Sequence, residues 1–219
     1  MTRDRANFFS YLFIMAAVVV AAWLYPSIPE QVPSHWNAHG EVDAYLPKPW
    51  GVVILPLAAI LVFIVMRLIP VISPKGYRTE PFANVLHIFQ VAMVGFMSLV
   101  AILVLLEASG VNVHLDKFIF GALGLLFIVL GNYFGNIRKN FFLGIRTPWT
   151  LASDEVWART HRIGGRLFVL QGLIMLAGMF VIIPPVAFLV MVALIVLVPV
   201  GYSYVAYRKI EGFEEDAES

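Results

Sequence analysis

The sequence predicts an all-α membrane protein with six spanning helices. Three observations carry that expectation. The 219 residues are 60% hydrophobic and only 13% charged, about half the charge of an ordinary soluble domain. Six apolar stretches, at 8–25, 51–69, 85–106, 118–135, 164–183 and 186–206, reach or approach the ~20 residues that cross a ~30 Å hydrocarbon core as a helix. None shows the alternation of a barrel strand, and an isolated strand cannot satisfy its backbone groups in lipid.

The first stretch follows Arg3 and Arg5 but outlasts the ~7–15 apolar residues of a signal peptide, and no small-x-small cleavage site precedes Tyr25-Pro26. It is read as a retained first helix. Orientation follows from the cations. Arg3, Arg5, Arg67, Lys75, Arg78, Arg138, Lys139, Arg146, Arg159, Arg162, Arg166, Arg208 and Lys209 fall at one side of the six-helix reading; Lys48 and Lys117 fall at the other. The positive-inside rule then puts both termini in the cytoplasm, with the 26–50 loop outside. The expected organisation is a three-helix region at 1–110 with that outer loop, a second three-helix region at 111–210 with a cytoplasmic loop at 136–163, and an acidic tail at 211–219. The tail reads as disordered, with no role beyond solubility.

Between the fourth and fifth stretches lies a polar, basic and aromatic block, Gly131 to Gly165. A connector between membrane helices does not need Trp149, Trp157 and His161 as well as its Arg, Lys and Asn residues. Thr147-Pro148 breaks the chain. Ser153, followed by Asp154 and Glu155, then reads as a helix N-cap with acids where the dipole favours them. On that helix Trp157 and His161, four apart, share a face. The helix can continue through Gly164 and Gly165 into the fifth stretch. Gly131-x-x-x-Gly135 would let a neighbouring helix approach closely, although glycine is also common in membrane helices. Pro184-Pro185 marks a minimal hairpin, and Pro199 a kink in the last helix.

Two groups of residues invite a chemical reading. Arg146, Thr147, Trp149, Thr150, Trp157, Arg159, Thr160 and His161 could form a recognition surface, with arginine as a fork for carboxylate or phosphate and tryptophan as a cation–π face. The plain alternative, that cations hold the loop inside and Trp marks the interface, accounts for Arg138, Lys139, Arg162 and Arg166 better than for the Arg-Thr-Pro-Trp-Thr run. In the outer loop His35 and His39 stand four apart near Glu41 and Asp43, donors that suit zinc or copper. Spacing fixes no third ligand, and the alternative is an interfacial loop with His and Trp as polar anchors. No metal or cofactor is assigned. Cysteine is absent, which excludes disulfides and thiolate chemistry. Nucleophile-elbow, P-loop and dinucleotide motifs are missing, and His87, Gln90 and Gln171 are the main polar groups toward the bilayer interior. That scarcity of deep ionisable groups argues against a proton-coupled transporter.

The run Asn140-Phe-Phe-Leu-Gly-Ile-Arg-Thr-Pro-Trp-Thr-Leu-Ala-Ser-Asp-Glu-Val-Trp-Ala-Arg-Thr-His-Arg-Ile-Gly-Gly-Arg166 resembles the signature of the SdpI family of bacterial membrane proteins. The outer loop, Pro29-x-x-x-Pro33-x-His35-x-Asn37-x-x-Gly40-Glu41-x-Asp43 and then Lys48, is similar to the uncharacterised domain that often precedes it. Ser73 before Pro74 departs from the Asp expected in many relatives. The resemblance implies a non-enzymatic protein of the bacterial inner membrane, protecting against a membrane-active peptide toxin or sensing it. It also implies a peptide partner on the outer face and a cytoplasmic regulator protein, with no nucleic acid. Carried onto this sequence, the signature residues are Asn140, Gly144, Arg146, Thr147, Pro148, Trp149, Trp157, Thr160 and His161. The outer-loop candidates are His35, Asn37, His39, Gly40, Glu41 and Asp43. Two readings stand beside this one: a small-solute transporter or channel-like protein, and a membrane enzyme with an outer metal site at His35 and His39.

Overall fold

The computed structural model describes residues 1–37, 42–181 and 183–212. The acidic run from 213 onward, and His39, Gly40 and Glu41, lie outside them. Seven helices account for most of the chain: α1 (Arg3–Leu24), α2 (Lys48–Ile72), α3 (Ala83–Ala108), α4 (Leu115–Phe134), the short α5 (Pro148–Ala152), α6 (Asp154–Ala177) and α7 (Pro185–Ile210). The protein is all-α and membrane-spanning in character, as its composition predicts. Among the described residues five helices, α1, α2, α3, α4 and α7, are long and apolar enough to cross a bilayer.

The fifth expected span differs. Helix α6 starts ten residues before Gly164 and ends at Ala177 rather than at 183. Its charged first half keeps α6 out of the five helices apolar enough to cross by composition, although it runs along α4 from Gly131 to Gly124. Helix α6 is held by packing against α4, the most extensive helix pairing in the chain. The seam is built from glycine. A Cβ on Gly165 would sit 2.6 Å from the Gly131 carbonyl oxygen, and one on Gly131 would sit 2.7 Å from that of Gly165. Seven residues along, Gly124 and Gly172 face each other in the same way. Gly131 thus serves the close approach read from its motif, and its partner is Gly165 of α6.

The outer loop is not merely irregular. Strands β1 (Gln31–Trp36) and β2 (Val42–Pro47) pair antiparallel, Val32 with Leu46 and Pro33 with Tyr45, with irregularities on either side of His35. Prolines at 33 and 47 look like breakers, but each strand of a two-stranded ladder has a free edge where Pro is tolerated. Val32 is fully buried against Gly51 at the start of α2, and joins Leu24, Ile28, Val52 and Leu105 in one apolar cluster.

A second cluster forms at the other end of the helices: Met66 and Ile69 of α2, Phe82 and Leu86 at the start of α3, Phe134 of α4, Ile137, and Trp157 of α6. The N-terminus is at this end as well, since the Met1 carbonyl lies 3.2 Å from His87 Nδ1. The C-terminal part of α7 reaches it through a Ser203–Thr147 hydrogen bond. The hairpin and the 136–163 loop therefore occupy opposite ends. The cation-rich segments, including both ends of the described chain, gather with the loop.

Candidate functional site

The loop between α4 and α6 is folded into the end of the bundle, and short-range hydrogen bonds explain its shape. Asn140 is fully buried and satisfies itself within five residues. Its Oδ1 accepts from the N–H groups of Phe142 (2.8 Å) and Leu143 (2.7 Å), while its Nδ2 donates to the carbonyls of Arg138 and Leu143. A short polar side chain whose one oxygen accepts twice and whose amide donates twice is what such a turn requires, and no apolar residue replaces it.

Helix α5 is started by a capping box. Thr150 N–H donates to Thr147 Oγ1, and Thr147 N–H donates to Thr150 Oγ1. Pro148 occupies the first helical position, where its missing N–H costs nothing. The Thr150 hydroxyl donates to the Ile145 carbonyl at 2.8 Å. Thr147 Oγ1 lies 3.0 Å from Ser203 Oγ of α7, and Trp149 packs edge-on against Tyr204. One five-residue helix thus ties the loop to the last membrane helix. Ser153 then caps α6 by accepting from Val156 N–H.

The centre of the site is His161, fully buried in α6. Its ring stacks on Trp157 on one side (4.1 Å between centroids) and on Phe134 on the other (5.2 Å). Ile145 N–H donates to Nε2 at 3.0 Å. That nitrogen must carry its lone pair, so the proton sits on Nδ1, which donates to the Trp157 carbonyl at 2.8 Å. Burial lowers the His161 pKa from 6.5 to about 4, outweighing the raising effect of the Trp157 carbonyl. The imidazole is a neutral two-point bracket between α6 and the loop backbone. Trp157 continues the bracket, its Nε1–H donating to the Ile137 carbonyl at 2.8 Å. Gly144 completes it with φ +111°, in contact with the His161 ring where any Cβ would overlap Nε2.

The eight residues expected to share one recognition surface are divided by this geometry. Thr147, Thr150, Trp157, Thr160 and His161 are buried, and all but Thr160 spend side-chain hydrogen bonds on the loop, on α6 or on α7; Trp149 is half-buried against α7. Thr160 Oγ1 is buried without a hydrogen-bond partner among the described residues. Arg146 and Arg159 are exposed. Arg159 pairs with Glu155, and Lys139 with Asp154 at 2.6 Å. Arg146 has neither ion pair nor hydrogen bond among the described residues. Sequence reasoning missed Ile137, Ile145 and Ser203. The first two act through backbone groups and carry no side-chain signal; Ser203, a lone hydroxyl on an apolar helix, was the available clue.

In the hairpin, His35 Nδ1 and Asp43 Oδ1 are 2.5 Å apart across the strands, both groups substantially exposed. Asn37 is placed just beyond β1, and His39, Gly40 and Glu41 fall outside the described residues. No group of three or more metal-capable side chains occurs among the described residues.

These features define a multi-pass membrane protein in which a buried histidine–tryptophan bracket locks an interhelical loop onto the bundle. The model of the SdpI/YfhL protein family matches residues 136–203, which contain the loop, α5 and α6, and a domain of unknown function, DUF1648, matches residues 12–60, which contain the hairpin. The chain is 24% identical over 213 residues to the immunity protein SdpI of Bacillus subtilis (strain 168), covering 95% of this chain and 99% of the relative. Together these matches establish the SdpI-family resemblance over both regions. No solved structure matches the chain.

Proposed function

We propose that the protein is a non-enzymatic immunity protein of the bacterial inner membrane that protects against, or senses, a membrane-active peptide. The observation that carries the reading is the end-to-end similarity to an immunity protein, which takes in both the hairpin and the locked loop. In this reading the hairpin end faces outward, where the peptide arrives, and the loop end faces the cytoplasm, where a regulator protein would be engaged. The clustering of cations at the loop end supports that orientation. The first three-helix region supplies the outer face and the second supplies the locked loop.

The transporter reading finds no support in the interior. A cavity of about 510 Å³ between α1, α3 and α4 is lined by apolar side chains and Ser98, without an ionisable one. A solute path for an ion or a metabolite would place such groups along it.

The test is protection. Bacteria sensitive to a membrane-active peptide toxin, expressing the full chain, are exposed to that toxin, and membrane potential and survival are followed. The proposal expects polarised, viable cells, against depolarised cells carrying the empty vector. Equal depolarisation and killing in both, with the protein present in the membrane, overturns it.

A further inference from the structure

Helices α1 and α4 both pack on α3 but make no substantial contact with each other among the described residues. The gap leaves an open cleft over α3, a cavity of about 510 Å³, within the ~300–1,000 Å³ of ordinary ligand sites. Phe13 and Ala16 of α1, Val91 and Phe96 of α3, and Leu125 and Val129 of α4 line it. Ser98 is the one polar side chain in the lining, and its unbonded hydroxyl can turn to the Val94 carbonyl one turn back. Along α3 the cleft runs from Ile88 to Ile102, about 21 Å at ~1.5 Å per residue. One leaflet of a ~30 Å hydrocarbon core is about 15 Å deep. The cleft therefore has room along its length for a whole acyl chain from the leaflet at the loop end.

The mouth of the cleft is at the loop end and carries a cation. Met1 lines the cavity beside Ile88, and His87 Nδ1 donates to the Met1 carbonyl at 3.2 Å, which seats the start of α1 there. Arg5, Phe9, Phe13 and Ala16 recur at helical spacing, so Arg5 stands above the cleft on the face of α1 that lines it. Arg5 is exposed and enters no ion pair among the described residues. Asp4 lies about 100° further round the helix, on the side away from the cleft. An apolar slot deep enough for one leaflet, with an unpaired guanidinium at its mouth, complements both parts of an anionic phospholipid. We propose that the cleft between α1, α3 and α4 binds one anionic phospholipid of that leaflet, with an acyl chain along α3 and the phosphate on the fork of Arg5. The lipid fills the gap between α1 and α4 and suits the protein to membranes with anionic headgroups.

The test is native mass spectrometry of the full-length protein, released from mixed micelles that hold phosphatidylglycerol and phosphatidylcholine with matched chains. One phosphatidylglycerol should be retained in preference to phosphatidylcholine. Arg5→Gln should lower that preference about fivefold, the scale of one cation at an anionic headgroup. Lys209→Gln removes an exposed cation at the same end, on α7, which packs on α5 and α6, and should leave the preference unchanged. Ala92→Leu/Ala122→Leu enlarges two half-buried residues of the lining and should cut retention of both lipids. Arg5 is exposed, so its substitution tests the site even where the filling pair unfolds. Equal effects of Arg5→Gln and Lys209→Gln indicate a diffuse basic surface and overturn the proposal. Retention without preference for the anionic lipid overturns it as well, as does a protein dimer that disappears with the filling pair, which assigns the cleft to a second copy.

Discussion

Gly144 lies against the imidazole of His161 so closely that the ring occupies the space a Cβ would need. The next residue, Ile145, turns its N–H onto Nε2 of the same ring. The glycine admits the histidine, and the histidine holds the loop. Because φ at Gly144 is +111°, Gly144→Ala meets both backbone strain, of about 1–2 kcal/mol, and the ring itself. Thermal unfolding in detergent should show a loss above about 2 kcal/mol, large for one methyl group. An unchanged midpoint would mean that the bracket is not rigid.

The neutral state of His161 makes stability depend on pH. The unfolded chain takes up a proton near pH 6.5, whereas the folded one resists until about 4. Between these values the unfolded state binds more protons, so stability falls as pH is lowered through the window, by up to about 1.4 kcal/mol per unit. Above 6.5 both states are neutral and this contribution is flat. His161→Gln, uncharged throughout, should lower stability at pH 7.5 and flatten the slope from 6.5 to 4. Parallel slopes for the two proteins would remove His161 as their source.

The α4–α6 seam makes a separate prediction. Gly165→Ala drives a methyl group into the Gly131 carbonyl oxygen, so the helices must part. A loss of about 1–3 kcal/mol is expected, the usual cost of overpacking. Gly201→Ala meets nothing within 4 Å and should be neutral or stabilising by up to about 1 kcal/mol through helix propensity. Equal unfolding midpoints for the two variants would contradict the seam.

Orientation can be tested by single cysteines at Ser34 in β1 and Ala152 at the end of α5, both exposed. An impermeant thiol reagent applied to intact cells should label the Ser34 variant and spare the Ala152 variant until the membrane is opened. Ser153 is a poorer probe, because it is buried and caps α6.

The fold was legible in sequence where one physical cause dominated. Apolar length placed α1, α2, α3, α4 and α7, and local capping chemistry placed the break at Thr147-Pro148 and the start of α6 at Ser153. The fifth span was overextended because hydropathy continues past Ala177 while the helix does not. The hairpin was hidden because its pairing is irregular around His35 and two prolines mask the strand pattern. In the site, helical spacing brought Trp157 and His161 together correctly. Their direction was not legible, since the groups they hold are the backbone atoms of Ile137 and Ile145. Arg146 resembled its neighbours in the motif, and only the folded loop separates it from them, exposed where they are buried.

That separation leads to the most direct test. If the buried residues build the loop and Arg146 presents its function, Arg146→Ala should unfold within about 0.5 kcal/mol of wild type, as exposed substitutions do, yet fail to protect toxin-exposed cells at matched membrane levels. Arg146→Lys should fail nearly as badly, since it keeps the charge but loses the fork. Full survival of cells carrying Arg146→Lys and of cells carrying the Trp157→Ala/His161→Ala double variant would contradict the account and leave the block between α4 and α6 as a charged linker.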